Sequence, residues 1–176
     1  AGRPRITFNG YYGDQKLGRK VDLLSASEYV AYFNEAARND GYADDELPFR
    51  PGIDDSVDTD WQEEVLQSAP IYDLSLGMSG GTDRTTYYLS GAMFDQKGIL
   101  LGSQYKRQNL RANLDFAPNT RLSFKTSIGF VREDNDRNEN DNTIDGVATN
   151  ALPNQPNVPV KNPNGTFTSS DDGLEY

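Results

Sequence analysis

Hydrophobic and polar residues alternate along several stretches of the chain, a period of two that is typical of β-strands with one apolar and one polar face. The fourth stretch is an example, because Leu110, Ala112 and Leu114 alternate there with Arg111 and Asn113. The alternation predicts five strands, at about residues 5–12, 71–80, 84–95, 105–117 and 121–133.

The third predicted strand does not reveal which of its faces is apolar. Its aromatic and aliphatic side chains fall at both parities: Tyr87, Leu89 and Met93 at one, and Tyr88, Ala92 and Phe94 at the other. The pattern alone therefore leaves the orientation of this strand open.

Between the first two strands the period changes to that of a helix. A helix is predicted over about residues 26–40, where Ser25 and Glu28 form a capping-box pattern at its start. A second, short helix is predicted in TDWQEEVLQS, with Thr59 as its N-cap and Gln62 completing a second capping box.

The connections between the strands alternate in length. Residues 80–83 and 118–120 form tight turns, whereas residues 13–70, 95–104 and 134–176 form long connections. In an antiparallel meander all the long connections then leave from one edge of the sheet. Short turns on one rim and long loops on the other are typical of outer-membrane β-barrels.

The predicted strands are also long for a globular protein. They have about 10 to 13 residues, against a usual length of about 5 or 6. At a tilt near 40°, ten residues cover roughly 25 Å, the height of the apolar band of such a barrel. We therefore predict an all-β fold, an antiparallel meander forming part of a transmembrane β-barrel, with short helices in the first outer loop. A soluble β-sandwich alternates in the same way and stays open as an alternative.

In the barrel interpretation, side chains at alternate positions of each strand face opposite environments. The polar side chains Arg111, Asn113, Asp115, Ser123 and Lys125 are expected to face an aqueous lumen. Their apolar neighbours are expected to face lipid: Leu110, Leu114, Phe124 and Ile128. Candidate substrate contacts among the polar set are Arg111, Asn113, Asp115 and Lys125.

Composition excludes several classes of function. The formal net charge of −10 argues against nucleic-acid binding, which needs a cationic face. The chain has no cysteine and no histidine, which excludes disulfides, thiolate and imidazole metal sites and serine–histidine triads. The remaining carboxylates lie in hydrophilic loops, where nothing would raise the pKa of a general acid. We therefore predict that the protein is not an enzyme and that it binds no cofactor.

The segment DNDRNENDN, residues 134–142, places oxygen-bearing side chains at alternate positions, including Asp134, Asp136 and Asn138. A calcium-binding EF-hand loop needs Gly at its sixth position and Glu at its twelfth, which are Glu139 and Asp145 here. We expect a solvated polar loop and no metal site.

A second acidic segment, DDSVDTD at residues 54–60, precedes the short helix. We expect Asp60 to serve the start of that helix rather than a metal ion. Trp61, the single tryptophan, is a candidate sugar-stacking platform in this loop. Its helical companions Val65 and Leu66 favour the alternative role, packing beneath the loop.

Longer stretches carry a specific resemblance. TDWQEEVLQSAP, SLGMSGGTDRTTYYLSGAMFDQKGIL and YKRQNLRANLDFAPNTRLSFKTSIGF occur in this order, after ITFNGYYG and LLSASEYVAYFNEA near the start. Together they resemble the early barrel region of the SusC/RagA-type TonB-dependent outer-membrane transporters of Bacteroidota. The resemblance covers about residues 3–133.

The resemblance implies a barrel of about 22 strands, an internal plug and an N-terminal segment that contacts TonB. It further implies a SusD-like surface lipoprotein as a lid, and import of oligosaccharides or peptides across the outer membrane. The plug and the TonB-contacting segment have no counterpart in this sequence. We therefore expect the first five strands and their outer loops, 13–70 and 134–176, of a longer protein. The competing hypothesis is a secreted carbohydrate-binding or adhesin-like β-sandwich.

Overall fold

The computed structural model describes residues 2–138 and 146–168. These residues form two compact units. The sheet unit comprises residues 2–17 and 67–138, and the loop unit comprises residues 18–66 and 146–168.

The sheet unit is a five-stranded antiparallel meander in which each strand pairs with the next along the chain. Its strands are β1 (Gly2–Gln15), β2 (Ala69–Gly81), β3 (Thr85–Lys97), β4 (Gln104–Asn119) and β5 (Leu122–Asp136). The predicted fold class is thereby confirmed. The β3–β4 connection, residues 98–103, is shorter than the alternation indicated, because both strands continue past their apolar segments.

The loop unit holds three α-helices and one 3₁₀-helix among its described residues. They are α1 (Ala26–Asn39), the 3₁₀-helix Asp44–Glu46, α2 (Trp61–Val65) and α3 (Val147–Ala151). Within the described ranges, none of these helices is long and apolar enough to cross a membrane.

Helix α1 begins as its sequence predicts. The Ser25 hydroxyl accepts a hydrogen bond from the Glu28 backbone N–H, and the Glu28 carboxylate accepts one from the Ser25 N–H at 2.9 Å. The backbone N–H of Ser25 lowers the pKa of Glu28, since it stabilises the ionised carboxylate. The helix ends before Gly41, whose φ of 95° is a left-handed conformation that favours glycine.

The predicted N-cap of α2 is wrong by one residue. Asp60, not Thr59, caps this helix, because its carboxylate accepts from the backbone N–H groups of Gln62 and Glu63 at 3.0 and 3.1 Å. A carboxylate at this position also interacts favourably with the helix dipole. Gln62 does not complete a capping box, and its side chain is free to bind elsewhere.

Register across the sheet settles the orientation of β3. Leu89 lies opposite Met78 on β2 and Ala112 on β4, and Met93 lies opposite Leu74. Directly paired residues point to the same side of a sheet. Tyr87, which has the same parity as Leu89, therefore belongs to the apolar face, and the parity of Tyr88 belongs to the polar one.

The turn between β2 and β3 requires glycine at residue 81. A Cβ built there would collide with the Thr85 carbonyl oxygen and lie 2.8 Å from the Thr86 Cα. We expect Gly81→Ala to destabilise the folded protein by about 1–3 kcal/mol, since only a backbone shift can relieve this overlap. Gly129→Ala on β5 is the control, because a Cβ there meets nothing within 4 Å. Urea unfolding of the full-length protein in detergent should separate the two variants, and equal midpoints would contradict the expectation.

Among the described residues, no second layer buries either face of the sheet. In this part of the chain, the buried hydrophobic side chains of the loop unit are Ala26, Val30, Trp61 and Ala151, whereas the sheet unit buries only Ala69. In a β-sandwich the inner faces of two sheets interdigitate around a core. The alternative of a self-contained sandwich is therefore wrong.

Candidate functional site

One face of the sheet carries a continuous apolar band. Among its most exposed members are Ile6, Phe8, Leu110, Ile128 and Phe130, which are 58–69% exposed. Leu114 and Phe124 belong to the same face, since Phe124 pairs with Phe116 and Leu114 with Tyr87. The four residues expected to share an apolar face thus do so, and none of them is buried.

The band has charged and aromatic borders at the edge where the long loops leave. On β5, Phe130 is followed on the same face by Arg132 and Asp134, whose side chains pair at 3.3 Å. On β1 and β2, Tyr12 and Tyr72 lie with ring centroids 5.1 Å apart. Between this border and Phe124 the band measures about 20 Å along a barrel axis, close to the height of a membrane-facing band.

The opposite face gathers the four predicted polar candidates on β4 and β5. Asp115 lies directly opposite Lys125, and Asn113 opposite Ser127, whose hydroxyl donates to the Asn113 side-chain oxygen at 2.8 Å. Together with Arg111 they line a shallow cavity of about 490 Å³. The structure therefore brings Arg111, Asn113, Asp115 and Lys125 together; their role as substrate contacts stays a prediction.

Further polar contacts lie along this face. Asn9 donates to the Ser75 hydroxyl at 3.3 Å, and Gln96 donates to the Gln15 side-chain oxygen at 2.9 Å. An ion pair joins Arg107 and Glu133 at 3.5 Å. A face so rich in hydrogen-bonding groups suits water rather than hydrocarbon.

Trp61 lies apart from these candidates, in the loop unit. Its side chain is 8% exposed, and its indole N–H donates to the Gln155 carbonyl oxygen at 2.8 Å. In this structure the indole packs beneath the loop, which is the alternative role drawn from the sequence. Little of its ring is open for stacking on a sugar.

Trp61 belongs to a set of contacts between two stretches of the loop unit. The Thr59 backbone N–H donates to the Pro156 carbonyl oxygen at 2.7 Å, and the Thr59 hydroxyl donates to the Val158 carbonyl oxygen at 2.8 Å. We call residues 59–61 and 155–158, with these three hydrogen bonds, the loop clasp. It joins residues that are more than ninety positions apart in the sequence.

Two buried amide side chains hold further loop segments. Gln62 accepts from the Val21 N–H at 2.9 Å and donates to the Val21 carbonyl oxygen at 2.8 Å. Asn34 on α1 makes the same pair of contacts with Phe49, at 3.1 and 2.9 Å. Each amide thus satisfies both backbone groups of one residue, as a neighbouring β-strand would.

The acidic residues of segment 54–60 serve the backbone and nearby cations. Asp54 accepts from the Arg50 backbone N–H, which lowers the pKa of Asp54, and Asp58 accepts from the Ala26 N–H at 2.9 Å. Asp60 caps α2 and binds the Lys20 ammonium at 2.7 Å. This hydrogen bond lowers the pKa of Asp60 and raises that of Lys20.

Asp134, Asp136 and Asn138, the weak metal candidates, lie on β5 and just after it. Asp134 pairs with Arg132, and the Asn138 side chain donates to the Leu101 carbonyl oxygen at 2.8 Å. In the portions of the chain that the structure describes, no three acidic side chains converge as a metal site would require. Residues 139–145 of the same motif lie outside those portions.

Comparison with known proteins agrees with this architecture. No protein-family model matches the chain. A TonB-dependent receptor of Formosa agariphila is 31% identical over 170 residues, which are 97% of this chain and 16% of that protein. The TonB-dependent receptor SusC of Bacteroides thetaiotaomicron is 28% identical over 135 residues, which are 75% of this chain and 12% of that protein.

A solved structure shares the fold. The RagAB peptide importer in its closed-closed state superposes with a TM-score of 0.70 at 22% identity, over 96% of this chain and 22% of the other. The chain is thus similar to a segment of TonB-dependent receptors, SusC among them, and it shares its fold with RagAB. It spans about a sixth of the length of the curated relatives that it matches.

One group of residues in the loop unit was not predicted from the sequence. Val21, Gln62 and Leu152 line one cavity beside α2, although they come from three separate stretches. The available signal was the group of apolar residues Val21, Leu23 and Leu24 ahead of the polar capping box, since apolar side chains there favour a packing partner. The partner lies too far along the chain for a local pattern to identify it.

Proposed function

We propose that this SusC/RagA-type segment forms part of the barrel wall of a nutrient importer in a bacterial outer membrane. The observation that carries the proposal is the sheet itself, whose apolar face is wide, exposed and bordered by charge, whereas its other face is polar. A wall between hydrocarbon and water needs these two faces. Leu110, Leu114, Phe124 and Ile128 would then contact lipid.

The polar face would border the lumen, and Arg111, Asn113, Asp115 and Lys125 would contact the cargo or the plug. The segment makes and breaks no covalent bond in this proposal. It shapes the pore and presents outer loops to cargo, an oligosaccharide or a peptide, and to a SusD-like lipoprotein. Energy would come from TonB through an N-terminal region outside this sequence.

The relatives support two parts of this proposal, import as the activity and TonB as the source of energy. The superposed RagAB structure is that of a peptide importer, which supports import as the activity. The curated relatives are named as TonB-dependent receptors, which supports energisation through TonB.

Fractionation of cells that express the full-length protein tests this proposal. We expect the protein to sediment with outer-membrane vesicles and to need detergent for release, because five such strands expose an apolar face that water does not tolerate. Recovery of the folded protein in the aqueous fraction without detergent would contradict the proposal.

A further inference from the structure

A short segment beside α2 offers an unused backbone edge. Gln62 holds Val21 by both backbone groups, at 2.9 and 2.8 Å. Over the described ranges, the following backbone groups, those of Asp22, Leu23 and Leu24, have no hydrogen-bond partner. Residues 22–24 are exposed, so their unpaired N–H and C=O groups are open to hydrogen bonds from another chain.

The segment forms one wall of a cavity of about 680 Å³ within the loop unit. This volume falls within the range of about 300–1,000 Å³ that is usual for ligand sites. Leu23, Leu24, Leu152 and Pro153 are the aliphatic residues of its lining besides Val21 and Pro156. The three leucines are 42–47% exposed, so apolar area is open to a ligand.

The charged residues around this cavity differ in what they already bind. The ammonium of Lys20 is held by Asp60 and Glu63, at 2.7 and 3.4 Å. Arg19 and Asp22 also line the cavity, and neither pairs with a charged residue among those that the structure describes. Arg19 and Asp22 therefore remain for an incoming ligand, whereas Asp58, which also lines the cavity, accepts from the Ala26 N–H.

The aromatic rings of the cavity are committed to packing. Trp61 is 8% exposed, and the ring of Tyr29 packs against Phe33 and Phe49 with centroid distances of 4.4 and 5.7 Å. Burial raises the pKa of the Tyr29 hydroxyl, as expected for a ring drawn into the loop unit. A sugar ring is usually held on an open aromatic face, and this cavity presents aliphatic walls instead.

We infer that this cavity binds a short extended peptide, whose backbone pairs with residues 22–24 and whose apolar side chain enters between Leu24 and Leu152. Free Arg19 and Asp22 suit the opposite charges of a peptide's carboxylate and ammonium groups. The inference rests on the proposed importer function, since it makes the outer loops the first contact with cargo.

Hydrogen exchange of the full-length receptor in detergent tests the site directly. The probes are the pentapeptide Ala-Leu-Ala-Leu-Ala and, as the sugar, maltopentaose. We expect the peptide to slow amide exchange at residues 20–25, because new backbone hydrogen bonds protect these amides. Leu23→Asp should weaken binding of the peptide about tenfold or more, since it places a charge in an apolar wall.

Leu101→Asp is the matched control, because Leu101 and Leu23 are both 45% exposed and Leu101 lies in the β3–β4 connection. This variant should bind the peptide as the wild type does. Protection of residues 20–25 by maltopentaose but not by the peptide would overturn the ligand class. If neither probe protects the segment while cells still import nutrients through the receptor, the site fails and the importer proposal stands. A receptor absent from the outer membrane would overturn the importer proposal itself.

Discussion

Ile128→Arg is expected to reduce assembly of the barrel severely. Ile128 is 63% exposed and lies midway along the apolar band, between Phe124 and Arg132 on β5. An arginine near the centre of a membrane-facing band costs about 2–4 kcal/mol, and the cost falls to about 0–1 kcal/mol near the border. Phe124→Arg, at the tight-turn end of the band, should therefore be tolerated better than Ile128→Arg.

The matched control for this experiment lies three residues along the same strand. Val131 is also β-branched and is 52% exposed, but it belongs to the polar face. We expect Val131→Arg to assemble as the wild type does. The measurement is the fraction of full-length receptor that keeps its folded mobility on unheated gels of outer-membrane preparations. Equal assembly of Ile128→Arg and Val131→Arg would show that the two faces are assigned wrongly.

Trp61→Ala should have the second-largest effect, on the loop unit rather than on the sheet. Removal of a buried tryptophan side chain costs about 3–5 kcal/mol where the site cannot collapse. The loop clasp would also lose its hydrogen bond to Gln155. We expect residues 146–168 to exchange their amide protons much faster in the full-length receptor, whereas the strands keep their protection.

Trp61→Phe is a milder change at the same position. It keeps one aromatic ring but loses the indole N–H and part of the ring volume, so a cost of about 1–3 kcal/mol is expected, below that of Trp61→Ala. Tyr42→Ala, at a residue that is 56% exposed in the same unit, is the control and should leave exchange unchanged. Unchanged exchange in Trp61→Ala would contradict the packing role. A loss of oligosaccharide uptake in Trp61→Phe with unchanged exchange at residues 146–168 would instead support the sugar-platform hypothesis.

The loop unit depends on a few buried polar contacts more than on a large core. Its described buried hydrophobic residues are Ala26, Val30, Trp61 and Ala151, three of which are small or β-branched. The amides of Asn34 and Gln62 are buried as well, and each satisfies two backbone groups. A buried polar group is tolerated only when its hydrogen-bond partners are present. Loss of one partner therefore costs more free energy than the hydrogen bond itself contributes to stability. This balance explains why single substitutions in the loop clasp are expected to have large local effects.

Local patterns in the chain were sufficient to predict the strands, the first helix and the N-cap of that helix. The alternation of Leu110, Arg111 and Ala112 reports two faces because successive side chains of a strand point to opposite sides. Ser25 and Glu28 report a helix start because the capping box closes within four residues. Such signals need no distant partner, and the structure confirmed them.

Other features depended on residues far apart in the sequence. The parity of β3 followed only from its pairing with β2 and β4, since its own side chains are apolar on both faces. Trp61 hydrogen-bonds to Gln155, 94 positions away in the sequence, and Gln62 hydrogen-bonds to Val21, 41 positions away. The contact between Gln62 and Val21 holds the chain next to residues 22–24, whose backbone groups are unpaired. The periodicity of the sequence indicates which face of an element a residue belongs to. Which distant residues pack against that face follows only from the tertiary structure.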